Sequence, residues 1–249
     1  MSEYDHKFYK DNIENTGTAP EKIFNVLAQF FEIDSLCDIG CSVGVWGSEF
    51  LRIKGITEDQ DAKLVCIDGD YVDRKMMLIP EKYFRPFNLE NRIDLGEERF
   101  DMVMTLEVAE HLSPSRADSF VEDLTKLSDI VLFSAAVEGQ GGTHHVNEQY
   151  MPYWVEKFEK LGYAPFDLVS PAIQFDLTIP WYYRQNMVVF VKKDTELYDR
   201  LVNEFHAYPP LQRMVCIECY EGDFKILKRM RSGLLGKVWG KLRPNRSHE

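Results

Sequence analysis

The sequence lacks any stretch suited to cross or enter a membrane. Its 249 residues contain no apolar run of about 18 residues, the length that a spanning helix needs, and residues 1–15 are polar where a signal peptide would be apolar. The five cysteines are odd in number, and three of them (Cys37, Cys41 and Cys66) lie in apolar, strand-like runs. This usage is typical of a reducing compartment. We therefore expect a cytoplasmic protein without a transmembrane segment.

Internal repeats and low-complexity segments are also absent. Hydrophobic residues make up 45% of the chain and charged residues 28%, with 15 glycines and 11 prolines. This composition excludes a disordered chain, a collagen and a coiled coil. The length suits one large domain, or one domain with an appendage, that can bury a substantial core.

Basic residues are scarce in most of the chain. The formal net charge is −12, but eight basic residues and one acid, Glu249, lie in residues 225–249. This tail therefore carries +7 and residues 1–224 carry −19. Because so acidic a body repels a polyphosphate backbone, we expect no nucleic-acid partner.

The basic tail allows two interpretations. Its apolar residues recur every three or four positions with basic residues between them, which is typical of a basic amphipathic helix. Glycines at 233, 236 and 240 weaken such a helix. Packing of residues 225–249 on the acidic body and peripheral contact with an anionic membrane both stay open.

Apolar runs that end in an acid or a glycine alternate with amphipathic stretches. This alternation is typical of strands and helices that take turns in a parallel sheet. The predicted strands are Leu36–Cys41, Lys63–Ile67, Tyr83–Asn88, Asp101–Leu106, Asp129–Ser134, Tyr163–Ser170 and Gln185–Lys192. The predicted helices are Pro20–Phe31, Val43–Ile53, Tyr71–Leu78, Ser115–Leu127, Asn147–Leu161, Asp194–His206 and Leu211–Met230.

The end of the predicted sheet differs from its beginning. No helix is predicted between the last two strands, so we expect an antiparallel pair there. We divide the chain into a sheet-containing domain, residues 1–193, and a helical C-terminal extension with the basic tail, residues 194–249.

A turn bearing glycines follows the first predicted strand. Gly40, Gly44 and Gly47 form GxxxGxxG, which differs from the GxGxxG that seats a dinucleotide pyrophosphate. Asp38 precedes the first glycine, where a carboxylate would repel a diphosphate and could pair with an ammonium group. A purely structural turn is the alternative, but the spacing favours a nucleoside that carries a cation.

A second acid ends the next strand. Asp68, followed by Gly69 and Asp70, occupies the strand tip where such sheets bind a ribose diol. A solvated loop acid is the alternative interpretation. Two such features at successive strand ends together favour a nucleoside site.

These stretches resemble the class I S-adenosylmethionine-dependent methyltransferases, from about Pro20 to Lys192. The resemblance rests on four motifs: DIGCSVGVW (38–46), VCIDGDYV (65–72), PFNLE (86–90) and FDMVMTLEVAEHL (100–112). Three later stretches look like a subgroup of small-molecule methyltransferases with a GGxxHVNEQ loop: GQGGTHHVNEQYMPYW (139–154), GY (162–163) and WYYRQN (181–186). Members of that subgroup are often found with genes for surface-polysaccharide or secondary-metabolite synthesis.

The resemblance implies a Rossmann-like α/β fold. Its sheet is mostly parallel and seven-stranded with a final antiparallel strand, and helices cover both faces. It also implies S-adenosylmethionine as cofactor, with S-adenosylhomocysteine as product. The implied cofactor residues are Asp38, Gly40 and Gly44 for the methionine, Asp68 with Gly69 for the ribose, Asn88 and Leu89 for the adenine, and the Leu106 carbonyl for the ammonium group.

Two positions depart from the usual motifs. Ser42 stands where many members have a third glycine, and we expect this small residue to be tolerated in the turn. Asn88 replaces the usual Asp, yet its side-chain oxygen can still accept a hydrogen bond from an adenine amine. Neither change argues against cofactor binding.

The loops after the fourth and fifth strands carry the residues suited to proton transfer. Methyl transfer from a sulfonium needs a base only where the nucleophile must lose a proton. We expect His145 to be that base, with His144 as its neighbour and reserve, because a neutral imidazole is available near pH 7. Glycines at 139, 141 and 142 indicate a loop that bends or moves. The alternative is that both histidines only order the loop.

Glu107, Glu110 and His111, followed by a later histidine, also resemble a ligand set for Mg²⁺ or Mn²⁺. Acid-and-histidine turns of this kind are widespread in metal-free members of the resembled family, where they pack beneath the cofactor. We therefore expect no metal, and the metal site stays open as the alternative.

Stacking faces, amides and one positive charge lie together at the start of the last predicted strand. Tyr182, Arg184, Gln185 and Asn186 suit a sugar, a nucleotide or another polar acceptor. Core packing of the aromatic residues is the alternative.

The combined interpretation is an enzyme. It would move the methyl group of S-adenosylmethionine to a hydroxyl, less readily an amine, of a small polar acceptor such as a sugar or nucleotide-linked sugar. The alternatives are a nicotinamide-dependent Rossmann enzyme and a non-catalytic cofactor-binding scaffold. The sequence does not predict the oligomeric state.

Overall fold

A computed structural model of the chain describes residues 6–57 and 59–205. The strands are β1 (Ser35–Ile39), β2 (Lys63–Asp68), β3 (Phe84–Pro86), β4 (Met102–Leu106), β5 (Ile130–Ser134), β6 (Tyr163–Phe166) and β7 (Val188–Lys192). The helices are α1 (His6–Thr16), α2 (Ala19–Leu27), α3 (Val45–Ile53), α4 (Ala117–Leu127), α5 (Met151–Lys160), α6 (Ser170–Ile173), α7 (Trp181–Asn186) and α8 (Glu196–Phe205).

Part of the predicted C-terminal extension is covered by this description. Helix α8 confirms the first of its predicted helices. The second, Leu211–Met230, and the basic tail 225–249 lie outside the described residues.

The strands form one seven-stranded sheet in the order β3-β2-β1-β4-β5-β7-β6. Strands β1 to β5 pair in parallel, and β7 lies between β5 and β6 and is antiparallel to both. The predicted fold class, mostly parallel with an antiparallel strand near the end, is confirmed.

Helices cover both faces of the sheet, because successive side chains of a strand point to opposite faces. On β5 and β7, Leu132 and Val189 face one apolar layer while Phe133 and Phe190 face the other. Helices α2, α3 and α8 pack into the first layer, and α4 and α5 into the second. Both layers are closed to water, which explains why the central strands are apolar throughout.

The prediction of a helix over Tyr71–Leu78 is wrong. A single 3-10 turn, Arg74–Met76, is all that forms there. The flanking amides bond elsewhere: Val72 N–H donates to the Gly69 carbonyl and Leu78 N–H to the Val43 carbonyl, at 3.2 and 2.8 Å. These bonds take the place of the i to i−4 ladder that a helix requires.

The prediction of no helix between the last two strands is also wrong. Helices α6 and α7 lie there, with Pro171 in the first turn of α6 and Pro180 directly before α7. Residues 185 and 186, predicted as the start of the last strand, are instead the end of α7, and β7 begins at Val188. The preceding strand ends at Phe166 rather than at Ser170.

Helix α1 was not predicted, because its sequence is mostly polar. Tyr9 is nevertheless 2% exposed, and Ile13 one turn later packs against the same core. The i, i+4 spacing of this pair was the available signal. No helix among the described residues has the length and apolar character needed to cross a bilayer.

An aromatic stack between α5 and β7 supports the second layer. The rings of Phe158 and Phe190 are parallel with centroids 3.8 Å apart, and both side chains are fully buried. We expect Phe158→Ala to lower the free energy of unfolding by about 3–5 kcal/mol in urea denaturation, because it opens a cavity. Phe175→Ala, at a position 85% exposed, should cost less than about 0.5 kcal/mol. Equal losses would contradict this account of the core.

Candidate functional site

A cleft of about 830 Å³ opens at the carboxyl ends of the parallel strands. Its walls come from the turns after β1, β2 and β4, from segment 87–90, from loop 140–145, from the middle of α1 and from the start of α7. This is the edge where α/β sheets bind ligands. Tyr9 and Asn12 of α1 belong to the wall and were not predicted.

Two glycines in the turn after β1 are required by close packing. Gly40 and Gly44 both have φ of +82°, a conformation that favours glycine. A Cβ at Gly40 would lie 2.2 Å from the Val108 side chain, and one at Gly44 would lie 2.8 Å from Ile79. Gly40 lines the cleft, whereas Gly44 packs α3 against the segment behind it. Ser42 adopts φ of +50° without being glycine.

Asp68 at the end of β2 is held by a full set of donors. One carboxylate oxygen accepts the Gly69 N–H and the Tyr71 hydroxyl at 2.6 and 2.8 Å, and the other accepts the Ser42 N–H at 2.7 Å. Burial raises the pKa of Asp68, and these hydrogen bonds oppose the rise. Asp68, Gly69 and Tyr71 all line the cleft.

Asp38 of β1 is the less compensated partner of Asp68. Its side chain does not line the cleft and is 3% exposed, and its Oδ2 has no hydrogen-bond partner among the described residues. Burial, followed by the charge of Asp68, raises the pKa of Asp38 to about 8. The two carboxyl groups therefore lack a compensating positive charge, and a cationic ligand could provide one.

The segment after β3 and the end of β4 bring three further predicted residues to the cleft: Asn88, Leu89 and Leu106. The Asn88 side-chain oxygen accepts the Glu90 N–H at 3.0 Å, which fixes a local turn. The predicted cofactor residues thus lie along one wall, apart from Asp38 and Gly44 behind it.

Glu107, the first residue after β4, is strained and tightly held. Its φ is +56°, which is unusual for a residue with a side chain. Its carboxylate accepts the Gln140 amide at 2.7 Å and the Asn186 amide at 3.1 Å. Burial raises the pKa of Glu107, and the two amides counteract part of the rise.

Of the four predicted acceptor residues, only Tyr182 lines the cleft. Arg184 is 7% exposed and donates to the carbonyls of Ile179 and Gln174, both at 3.0 Å, so it closes the loop before α7. Gln185 donates to Asn186, which holds Glu107. These residues were expected on a strand, but they form α7, and helical spacing determines which of their side chains reach the cleft.

Glu148 organises the loop that carries the predicted histidines. It accepts the N–H groups of Gly139 and Gly141 at 2.9 and 2.8 Å, and its Oε1 lies 2.8 Å from His145 Nδ1. Glu148 was not predicted as a site residue, although its position three residues after His145 was a signal in the sequence. A Cβ at Gly142 would lie 2.2 Å from His145 Nε2, so only glycine leaves the ring this position.

The two predicted histidines differ in environment. The side chain of His145 is 12% exposed, and its ring packs edge-to-face on His111 with centroids 4.8 Å apart. His144 is exposed, lines the cleft and has φ of +60°. Burial, and next the neighbouring His145, lower the pKa of His111 to about 4.

Glu110 lies beside these rings with a side chain that is fully buried. Burial, and then the charge of Glu107, raise its pKa well above the usual range. One ligand atom each of Glu110, His111 and His145 lies within 4.8 Å of the others, so these three residues could hold a metal ion.

The chain is similar in fold to several solved structures. A magnesium protoporphyrin IX methyltransferase from Synechocystis PCC 6803, solved with bound SAM, aligns with a TM-score of 0.52 and 16% identity over 77% of this chain and 86% of that protein. A SAM dependent methyltransferase from Archaeoglobus fulgidus aligns with a TM-score of 0.52 and 14% identity, over 76% of this chain and 100% of that one.

An O-methyltransferase family protein from Burkholderia thailandensis gives a TM-score of 0.52 and 12% identity, over 78% of this chain and 62% of that protein. No description of a known protein family matches the sequence, and a comparison with curated proteins also gives no match. At these identities the likeness establishes the shared fold alone.

The raised pKa of Asp38 predicts a pH-dependent stability. The folded chain keeps a proton that the unfolded chain releases between its ordinary pKa of 3.8 and about 8, so this residue makes stability fall as pH rises through that range. Asp38→Asn removes the titration. Its gain in unfolding free energy over the wild type should therefore grow from about pH 5 to about pH 8 and level off above.

Urea denaturation across this pH range provides the measurement. Asp70→Asn, at an exposed position near the same strand end, is the matched control and should show no such trend. A difference between Asp38→Asn and the wild type that is independent of pH would contradict the buried, proton-holding carboxyl.

Proposed function

We propose that this chain is an enzyme that transfers the methyl group of S-adenosylmethionine to a hydroxyl of a small polar acceptor. The observation that carries the proposal is the buried Asp38–Asp68 pair beneath a glycine turn that lacks the dinucleotide spacing. A nucleoside bearing an ammonium and a sulfonium complements that pair, whereas a diphosphate would be repelled. The fold shared with solved methyltransferases supports the same reading.

The proposed cofactor contacts follow the wall of the cleft. Asp68 and Gly69 would bind the ribose, with Asp68 already placed by its three donors. Asn88 and Leu89 would face the adenine. Asp38 and Gly40 would shape the methionine end, with Gly44 behind them, and the Leu106 carbonyl would receive the ammonium group. When bound, the cofactor supplies the electrophilic methyl group.

His145 is the proposed base for the acceptor hydroxyl. Its Nδ1 faces Glu148, which fixes the ring and leaves Nε2 to accept a proton. His144 lies next to it in the same wall and is the reserve candidate. Such a carboxylate–imidazole pair also stabilises the imidazolium that forms on proton transfer.

The acceptor side of the cleft is aromatic. Trp181, Tyr182 and Tyr183 line it at the start of α7. Burial, with a contribution from Glu107, raises the pKa of Tyr182 to about 12, so its hydroxyl remains a hydrogen-bond donor at neutral pH. Stacking faces with a nearby donor suit a sugar or a nucleotide-linked sugar. The carbohydrate assignment itself rests on the subgroup resemblance, and an amine acceptor is the second choice.

We place the reaction in the cytoplasm. Cys37, Cys41 and Cys66 are buried free thiols, which supports a reducing compartment.

Calorimetry and product analysis test the proposal together. S-Adenosylmethionine and S-adenosylhomocysteine should each bind the full-length chain, and NAD and NADP should not. Screening nucleotide sugars, sugar phosphates and small amines for release of S-adenosylhomocysteine then identifies the acceptor. Binding of a nicotinamide cofactor instead would overturn the proposal, and binding without methyl transfer to any acceptor would favour the scaffold alternative.

His145→Gln tests the base. We expect turnover with the identified acceptor to fall about 100-fold or more, because Gln cannot take the proton. The affinity for S-adenosylmethionine should change little, since His145 lies on the acceptor side of the cleft. Unchanged turnover would remove His145 from this role. His144→Gln is the parallel variant, and a larger loss there would move the role to His144.

A further inference from the structure

Glu110 is a buried acid whose carboxylate is poorly compensated by the residues around it. Its side chain is 0% exposed, and neither carboxylate oxygen has a well-formed hydrogen bond to a described residue, although the Glu110 and Ala136 backbone amides lie near enough to favour its charged form. Protonation alone would not solve this, since a protonated carboxyl still needs an acceptor for its O–H. An unpaired buried carboxylate is among the most costly groups in a protein interior. Something is therefore expected to bind it.

Two neighbouring imidazoles also have an unused lone pair. Nδ1 of His111 is buried and has no partner among the described residues, while a hydrogen bond to the His144 backbone engages the ring. That bond is therefore left to the other nitrogen, Nε2–H. On His145 the arrangement is reversed: Nδ1 faces Glu148, and the lone pair is left on Nε2. With these tautomers each ring keeps one nitrogen lone pair available for a ligand.

We propose that Glu110, His111 and His145 bind one divalent metal ion at the acceptor side of the cleft. Their ligand atoms lie within 4.8 Å of one another. Two ligands that each lie about 2.1 Å from a metal can be at most about 4.2 Å apart. The set therefore needs to close by about 0.6 Å on binding, a movement that side-chain rotation can supply.

The donor atoms indicate which metals fit. Two imidazole nitrogens and one carboxylate oxygen suit Mn²⁺, Fe²⁺, Co²⁺ or Zn²⁺, whereas Mg²⁺ and Ca²⁺ prefer oxygen ligands alone. Glu148 beside His145 is the outer carboxylate that metal-bound histidines commonly have. Glu107 is not in the set, because its carboxylate already accepts the Gln140 and Asn186 amides.

This inference differs from the expectation of a metal-free site, and for the metal's role it rests on the proposed function. Three protein ligands leave coordination positions open for an acceptor oxygen. A metal ion there lowers the pKa of a bound hydroxyl. With the ion in place, His145 would be a ligand instead of the base, and the acceptor hydroxyl, acidified by the ion, would release its proton to solvent. Whether the ion binds does not depend on methyl transfer.

Metal binding to the full-length chain is measured after chelator treatment and buffer exchange. Mn²⁺ binding is followed by the loss of the free-ion EPR signal, and Co²⁺ binding by visible absorption. We expect one ion per chain. Glu110→Gln, His111→Asn and His145→Asn should each weaken Mn²⁺ binding about 10-fold or more. A tenfold excess of Mg²⁺ should not displace Mn²⁺.

His144→Asn is the matched control. It removes a histidine that lines the same cleft but lies outside the three-residue set, and Asn tolerates the positive φ at this position. Its Mn²⁺ affinity should equal that of the wild type. Equal affinities in the wild type, Glu110→Gln and His145→Asn would overturn the proposal, as would a loss in His144→Asn as large as in His145→Asn.

A thermal unfolding series separates lost binding from lost folding. Without metal, Glu110→Gln should be at least as stable as the wild type, because it removes a buried charge. Added Mn²⁺ should raise the Tm of the wild type and of His144→Asn but not that of Glu110→Gln. A Tm increase in Glu110→Gln equal to that of the wild type would contradict the site.

The outcome for the proposed function is read separately. Tight Mn²⁺ binding by a chain that does not bind S-adenosylmethionine would sustain the metal site and overturn the methyl transfer. Methyl transfer by a wild type that takes up no Mn²⁺ or Co²⁺ would support the proposed function and overturn the metal site.

Discussion

The burial of four carboxylates at one edge of the sheet is the constraint on which the site depends. Asp38, Asp68, Glu107 and Glu110 each lie at or behind the carboxyl ends of β1, β2 and β4, where burial raises the pKa of the carboxyl group. Two of them are satisfied from within the chain, Asp68 by backbone amides and a tyrosine, and Glu107 by two side-chain amides. The other two are not.

The two unsatisfied carboxylates mark where positive charge from outside the chain is most favourable. Asp38 lies behind the wall proposed for the cofactor, and Glu110 lies among the histidines on the acceptor side. Each cationic group bound there would gain electrostatic energy that is strong because the surroundings exclude water. If both proposals hold, the cationic cofactor and the metal ion would each bind beside a different acid and would not compete.

The features that were predicted correctly from the sequence are those that follow from the parallel order of the strands. Asp38 and Asp68 end adjacent parallel strands, so their proximity follows from strand order alone. Helix α7 could not be predicted from an aromatic, polar hexapeptide. For this reason Arg184 and Asn186 were wrongly expected to contact the acceptor. Nor could sequence indicate that Glu110 lacks a partner, because hydrogen bonding depends on how loop 139–148 folds over it.

The antiparallel strand explains how the second half of the chain reaches a site made by the first. Because β7 runs opposite to β5, its first residue pairs with the end of β5, at Phe133 and Val188. Helix α7 ends two residues before that point, which brings Asn186 to the turn after β4 and onto Glu107. A parallel last strand would deliver α7 to the far edge of the sheet. The reversed strand therefore brings the aromatic start of α7 to the same cleft that Asp68, Glu107 and Glu110 line.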